Sequence, residues 1–394
     1  MIVATGTSSR TRIETQPRRA ASLTRVLFLS ANVGEGHTAA AQAIAVALKA
    51  KLPGCQSDVV DSYRYASDVF GKVVSNGYIG MVKVLPQLYG AIYDQAERAT
   101  KVNAFKKWLH RYTALNLRRY VQETSPDVVV CTHAFPCGAM AEYKREFADA
   151  PPVVGVVTDF VVHPFWIHRN IDYYAVATDS MKHALIARGV DTDHISVTGI
   201  PIDARFAQRG ERRAIRRKLG LASDRTTLLV MGGGVGIGPV EKAIAGIDRL
   251  SHDVQTVVVA GKNPTLERRV REMARGMRHS VKVAGFVSNV FDYMRAADVL
   301  ISKPGGLTSS EALAAELPLV MLRPLPGQEE RNTRYLQANG AGVRVDTRRE
   351  LVQALDRLLS NPELLAAMRE RARALARPNA ARDAAGIIAT LVNA

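Results

Sequence analysis

Arg25-Val26-Leu27-Phe28-Leu29-Ser30, followed by Gly34-Glu35-Gly36-His37 and an Ala-rich run from Thr38 to Lys51, decides how this chain is read. The first six residues have the pattern of a buried strand, the glycines turn the chain, and the next run is helical. Asp58-Val59-Val60-Asp61 then offers a second strand. Strand, glycine loop, helix and strand in that order open a parallel, doubly wound sheet.

Working outward, the apolar runs Asp127–Cys131, Val153–Val157, Tyr174–Ala177 and Ile195–Val197 continue the same sheet. Gly199-Ile200-Pro201-Ile202 breaks the pattern, and a charged segment from Arg209 to Lys218 marks the linker region. A second series starts at Thr226–Met231 and continues through Thr256–Ala260, Val281–Val283, Asp298–Ser302 and Pro318–Leu322. A chain of 394 residues is too long for one ordinary core. The predicted fold is α/β, with two Rossmann-like domains and a cleft between them. Residues 1–22 form a disordered basic arm, 23–203 the first domain and 204–376 the second. The last helix, within 377–394, packs back on the first domain.

Composition narrows the class. No apolar run approaches the ~20 residues of a spanning helix, and the Ser/Thr/Arg-rich N-terminus lacks the apolar stretch of a secretory signal. Cys55, Cys131 and Cys137 form no C-x-x-C pair, which suits reduced thiols in the cytoplasm. The net charge of +16 favours a polyanionic partner or reflects a general bias toward Arg. The basic residues are scattered and match no nucleic-acid motif, so no nucleic-acid partner is expected.

Three loops carry candidate chemistry. Gly34-Glu35-Gly36-His37-Thr38-Ala39 satisfies G-x-G-x-x-A between strand and helix. It fits a dinucleotide fingerprint with Asp61 on the ribose, a ligand-free turn, or a polar-ligand site in which His37 takes a proton from an acceptor hydroxyl. Met231–Pro239 contains five glycines in seven positions (Gly232, Gly233, Gly234, Gly236, Gly238), suited to close approach of a diphosphate or to a hinge. Ser302-Lys303-Pro304-Gly305-Gly306-Leu307-Thr308-Ser309-Ser310-Glu311 ends a strand and opens a helix with hydroxyl residues. Gly305, Gly306, Thr308 and Ser309 can offer donors to phosphate oxygens, and Glu311 can accept two ribose hydroxyls. A capping box explains Thr308 and Glu311 but not the preceding Lys-Pro-Gly-Gly. After the next strand comes Pro326–Asn332, where Gln328 and Glu329 suit the vicinal hydroxyls of a sugar, unless the segment is a solvated loop.

With Thr132-His133-Ala134-Phe135-Pro136, Thr158-Asp159-Phe160 with His163 and Trp166, Gly199-Ile200-Pro201 and Gly285-Phe286-Val287, these motifs resemble one family. It is that of the monogalactosyldiacylglycerol synthases and processive diacylglycerol glucosyltransferases, of the GT-B fold. This family is related to the N-acetylglucosaminyltransferase that makes lipid II. The resemblance runs from Val26 to about Gly342. It implies an inverting glycosyltransferase with a UDP-hexose held by the second domain; no cofactor and no catalytic metal are expected. Phe286 and Val287 would border the uracil, Gly306, Leu307 and Thr308 the diphosphate, Glu311 the ribose, and Gln328 and Glu329 the sugar. Gly233, Gly234, Lys303, Gly305 and Asn332 belong to the same donor loops. His37 matches the family's proposed base, Asp159 is a second catalytic candidate, and Gly36 and His133 lie on the acceptor side. Val235 stands where the family often has an acidic residue.

The implied acceptor is a lipid hydroxyl, most simply diacylglycerol; a polyprenyl-linked sugar and a small hydrophobic alcohol are the alternatives. Phe105, Trp108, Leu109, Tyr112 and Leu115 share one helical face flanked by Lys106, Lys107, Arg111, Arg118 and Arg119. Such a helix suits an anionic bilayer, as does the apolar Tyr78–Pro86, unless both pack on the sheet. The expected location is the cytoplasmic face of a membrane, as a peripheral protein. Asp191-Thr192-Asp193 spells the metal-binding D-x-D of other transferases, but its place between a helix and a strand reads as a turn. An NAD(P)-dependent oxidoreductase using the first glycine loop is the rival from another reaction class.

Overall fold

The structure, a computed structural model, describes residues 23–31, 35–65, 100–208, 210–234, 236 and 238–393, and only the backbone of 100–107. The basic arm, Tyr78–Pro86, Val235 and the side chains of Phe105, Lys106 and Lys107 lie outside the described residues.

The first sheet contains β1 (Arg25–Ser30), β2 (Gln56–Asp61), β3 (Val128–Cys131), β4 (Val153–Val156), β5 (Tyr173–Val176) and β6 (Ile195–Val197). Its helices are α1 (Gly36–Lys51), α2 (Thr100–Thr124), α3 (Ala134–Glu146) and α4 (Asp179–Ile186). The second sheet contains β7 (Thr226–Met231), β8 (Val254–Val259), β9 (Ser280–Ala284), β10 (Val299–Ser302), β11 (Leu319–Leu322) and β12 (Gly342–Val345). Around it run α5 (Arg212–Lys218), α6 (Val240–Ile247), α7 (Pro264–Ala274), α8 (Val290–Ala296), α9 (Gly306–Ala314), α10 (Gln328–Ala338), α11 (Arg348–Leu359) and α12 (Pro362–Leu375). Helix α13 (Ala380–Val392) ends the described chain. The expected α/β architecture of two Rossmann-like halves is present; β12, whose four residues give little pattern, is a strand the sequence reading passed over.

Every strand pair is parallel. Central strands such as β3 and β8 are buried along their whole length, which is why they read as unbroken Val-rich runs. Edge strands β2 and β9 show half-exposed patterns instead. The strand orders are β2-β1-β3-β4-β5-β6 and β12-β11-β10-β7-β8-β9. The order reverses between β1 and β3 in the first sheet and between β7 and β10 in the second. Ligands of open α/β sheets bind outside the carboxyl ends of strands at such reversals.

Helix α13 places Ala384, Ala385, Ile388 and Ala389 in one buried cluster with Val26 and Phe28 of β1 and Ile44 and Leu48 of α1. Its approach passes Gly199, where an added Cβ would sit 2.4 Å from Arg377 Cβ. The small side chains of both helices allow this close packing of α13 on α1.

Candidate active site

The reversal points of the two sheets face each other. In the first half, β1 leads into α1 with Gly36 and His37, while its neighbour β3 leads through Thr132 and His133 into α3. In the second half, β7 leads into the glycine loop, and its neighbour β10 leads through Lys303–Gly305 into α9. A Cβ built on Gly36 would lie 3.6 Å from Leu307 Cβ, and one on Gly306 would lie 2.1 Å from the Thr158 carbonyl oxygen. The starts of α1 and α9 therefore meet, and only glycine fits at Gly306.

His37 is half-buried in the first turn of α1. Its Nδ1 lies 3.1 Å from the Thr132 carbonyl oxygen and 2.8 Å from Thr158 Oγ1, and that hydroxyl also donates to the Thr132 carbonyl. A carbonyl oxygen only accepts, so the proton is assigned to Nδ1 and the lone pair to Nε2. Burial, partly opposed by the Thr132 bond, pushes the pKa down to about 4, so the ring is neutral at pH 7. A neutral imidazole with a free Nε2 lone pair is the form a general base requires. The His133 ring stands 4.6 Å away, edge-on at 84°. Its Nδ1 accepts from Phe135 N–H and caps α3, and burial and then His37 hold its pKa well below the usual value.

Asp159 and Asn332 take positions other than those expected. Asp159 turns toward the second half, accepting from Gln328 Nε2 at 2.8 Å and Asn332 Nδ2 at 3.1 Å. Both of its oxygens are engaged by amides of the second half. Burial raises its pKa to about 6, with the Asn332 bond opposing and Glu329 reinforcing the rise. Asn332, expected among the donor contacts, is 1% exposed. Its two amide hydrogens go to Asp159 and the Pro304 carbonyl and its oxygen accepts from Phe160 N–H, so it joins the halves. Phe160 stacks on Tyr335 at 4.9 Å and 9° beside it, an aromatic pair worth about 1 kcal/mol beyond its burial.

The donor loops are partly occupied by the protein itself. Glu329 accepts from Lys303 Nζ and Leu325 N–H, both at 2.9 Å, which fixes its carboxylate and ties up the Lys303 ammonium. Gln328 keeps its Oε1 free of any described partner. Ser309 is fully buried. In the glycine loop an added Cβ would strike Glu35 at Gly234 and the Ala260 carbonyl at Gly236, so close approach to protein explains those two glycines. Gly233 (φ +73°) and Gly305 have open space where a side chain would be. Glu311 is half-buried, and its carboxylate makes no hydrogen bond with a described residue. Burial, then Asp203, raises its pKa to about 8. Phe286 is 63% exposed beneath Lys262, whose Nζ lies 5.4 Å from the ring centre; Val287 packs against the core. Thr308 and Leu307 are half-buried in the first turn of α9.

On α2 the inner face buries His110, Thr113, Ala114, Leu117 and Val121, while Trp108, Tyr112 and Leu115 point outward and are exposed. Trp108 and Tyr112 stack at 5.7 Å. Arg111 is half-committed to Glu146 at 3.1 Å. Asp191 accepts from Asp193 N–H and closes a turn at Thr192–His194, so the D-x-D is turn chemistry. Sequence reasoning quoted Thr132 and Thr158 but gave neither the part of fixing the His37 tautomer. It missed Lys262, which pairs with Glu35 across the cleft at 2.8 Å; no local pattern marks a partner 227 residues away.

The family described as monogalactosyldiacylglycerol (MGDG) synthase matches residues 37–202, and glycosyl transferases group 1 matches residues 211–375. A processive diacylglycerol β-glucosyltransferase of Bacillus mycoides is 32% identical, covering 91% of each chain. The enzyme of the same name from Bacillus subtilis is 30% identical over 88% of this chain and 90% of that one. Among solved structures, Acinetobacter baumannii MurG superposes with a TM-score of 0.62 at 17% identity, covering 93% of this chain and 99% of that one. Anabaena HepE with UDP-glucose gives 0.55 at 13%, covering 93% and 99%. These distant likenesses carry the GT-B fold; the closer relatives carry the class of reaction. The chain is a glycosyltransferase, and it belongs to the family of the monogalactosyldiacylglycerol synthases and processive diacylglycerol glucosyltransferases.

Proposed function

We propose that the protein moves a hexose from a UDP-sugar to the hydroxyl of diacylglycerol, with inversion at the sugar carbon. The observation that carries this reading is the meeting of two helix starts, one bearing His37 and the other opening at Gly306. Glu311 accepts the ribose hydroxyls, Phe286 and Val287 border the base, and Gln328 and Glu329 face the sugar. Neither α1 nor α9 has a side-chain cap, so the backbone N–H groups at Gly306, Leu307 and Thr308 are free for the departing diphosphate. Gly233 and Gly305 leave room beside it, and Gly234 lies in the same loop against Glu35. The acceptor enters past Gly36 and gives its proton to His37 Nε2 as the oxygen attacks the sugar. Base on one side and leaving group on the other make a single displacement, hence inversion. No metal is needed in this scheme, because the diphosphate charge meets helix donors.

The outward Trp108, Tyr112 and Leu115 suit a peripheral contact with an anionic membrane, with Arg111 at its rim. No helix among the described residues is long and apolar enough to cross a membrane. Three buried free cysteines suit the cytoplasmic face.

The test is UDP release from UDP-glucose, UDP-galactose and UDP-N-acetylglucosamine, with and without diacylglycerol in anionic vesicles and with a chelator. Release that depends on the lipid, from one donor and unaffected by chelator, supports the reading and names the sugar. A β-linked product from an α-linked donor supports inversion. Binding of UDP with no lipid-dependent release sinks the diacylglycerol assignment.

A further inference from the structure

The two histidines at the cleft are held in opposite tautomers. His37 spends a proton-bearing Nδ1 on the Thr132 carbonyl, which leaves Nε2 as an acceptor. His133 spends an Nδ1 lone pair on Phe135 N–H, so its proton lies on Nε2, a donor. Neither Nε2 bonds to a described residue, and neither is sealed in the interior, so both keep an accessible edge. The ring centres are 4.6 Å apart at 84°, an edge-to-face arrangement that holds the two imidazoles side by side at the helix starts. Tyr63 lies 6.2 Å from His133 and stacks on Phe135 at 4.9 Å, adding an aromatic wall on the same side.

We propose that His37 and His133 together grip the acceptor hydroxyl, with His133 Nε2–H donating to its oxygen while the hydroxyl proton points at His37 Nε2. This deepens the reading given above and rests on it. The chemistry fits an alcohol. Its oxygen has two lone pairs, one to accept from His133 and one to attack the sugar carbon. The O–H proton passes to His37 Nε2, the new bond joins the oxygen to the sugar carbon, and the sugar–phosphate bond breaks to release UDP. Donation from His133 also makes the hydroxyl more acidic and eases that transfer. An amine, with one lone pair, cannot satisfy His133 and attack together, so the pair selects oxygen acceptors.

Two isosteric variants separate this from the capping role of His133. His133→Asn places Oδ1 where Nδ1 sits and keeps the cap but has no donor at the Nε2 position. His133→Gln reaches that position with an amide N–H but drops the cap. Acceptor kcat/KM is measured with diacylglycerol in vesicles, together with UDP affinity and melting temperature. The expected result is a loss of about tenfold or more in kcat/KM for Asn, with wild-type melting and UDP affinity. Gln is expected to recover most of the activity while melting lower. An Asn variant as active as wild type, or a Gln variant no better than Asn, overturns the proposal. Nitrogen-15 shifts of the wild-type imidazoles at pH 7 provide a check free of variants. The proposal needs Nδ1–H for His37 and Nε2–H for His133, and any other pair of states sinks it. A wild type inert toward every lipid alcohol would instead sink the diacylglycerol reading, leaving the tautomer measurement to judge the pair.

Discussion

The two rims of the cleft use different means at equivalent places in the fold. The first rim presents side chains: His37 at the start of α1 and His133 as the cap of α3 after β3. The second presents backbone: α9 and α10 begin at Gly305 and Gly327, neither with a side-chain cap. An imidazole can take or give a proton near neutral pH, which moving a hydroxyl proton requires. Glycine-bordered N–H groups at a helix start hold a diphosphate without moving any proton. Under the proposed function, the two similar sheets divide into a proton-handling half and an anion-holding half, and damage to one half should leave the other's work intact.

The largest effect is expected from His37→Ala. Loss of a general base costs about a hundred- to ten-thousand-fold in kcat, whereas UDP affinity, which belongs to the opposite rim, should stay at the wild-type value in calorimetry. An equal loss of both would show that the rims do not divide the work. The pH dependence sharpens the point. His37 is depressed to about 4 in the free protein. A bound diphosphate places negative charge near the ring and raises that value. The acid limb of kcat, which reports the complex, should therefore lie at higher pH than that of kcat/KM. For folding the sign is that of a depressed group: the stability His37 contributes is complete above its unfolded value of 6.5 and is lost as pH falls through about 4.

Gly306→Ala should come next, because its Cβ would meet the Thr158 carbonyl at 2.1 Å and neither backbone can yield without opening the cleft. Overpacking of this kind costs about 1–3 kcal/mol. Here it falls on the closed state, so donor KM should rise and kcat should fall, about tenfold or more overall. Gly305→Ala, with open space around it and an ordinary φ of −67°, is the control. It should fold and melt normally, and a loss of UDP affinity there would reflect contact with ligand alone.

The anion-holding half also has a titrating group. Glu311 is raised to about 8 by burial and then by Asp203. In the proposed role its carboxylate accepts both ribose hydroxyls, so UDP affinity should climb severalfold as pH rises through about 8. Glu311→Gln should flatten that rise. Stability runs the other way. With the folded value above the unfolded one, the favourable contribution is complete below about 4.5 and is lost as pH climbs through about 8. A melting temperature that rises with UDP affinity over that interval would contradict the assignment.

The sheets were legible because parallel strands buried on both faces read as apolar runs, and the glycine loops because their composition is costly unless something comes close. What comes close was less legible. Gly234 and Gly236 make room for Glu35 and the Ala260 carbonyl, so five glycines in seven positions did not mean five ligand contacts. His37 was found from its place at a helix start, but its tautomer depends on Thr132 and Thr158, which reach it only after β3 and β4 have been laid beside β1. Asp159 was read as a reacting group from its place at a strand end with His163, and Asn332 as a binding group from the family resemblance. Their pairing spans 173 residues and exists only once the halves have closed. Side-chain type was visible in the sequence; side-chain partner was set by the tertiary fold.

That pairing yields the smallest and most specific prediction. The Asp159 carboxylate accepts from two amide groups, Gln328 and Asn332. Burial raises its pKa to about 6, so as pH falls through that value it takes up a proton, and one oxygen turns from acceptor to donor. One of the two amides then loses its acceptor. Asn332 is anchored by Phe160 and Pro304 as well, so the group released is Gln328, the one proposed to face the sugar. Donor KM should therefore rise about two- to threefold below pH 6, in line with the loss of one modest hydrogen bond. Asp159→Asn, which has a single acceptor at every pH, should show the higher KM throughout and no step. Its unliganded stability should lose a pH dependence of the raised-carboxylate kind, in which the contribution is complete below 3.8 and lost as pH rises through about 6. A step that survives in Asp159→Asn would mean that the two halves are coupled through some other group, with Lys262 and Glu35 the next pair to exchange.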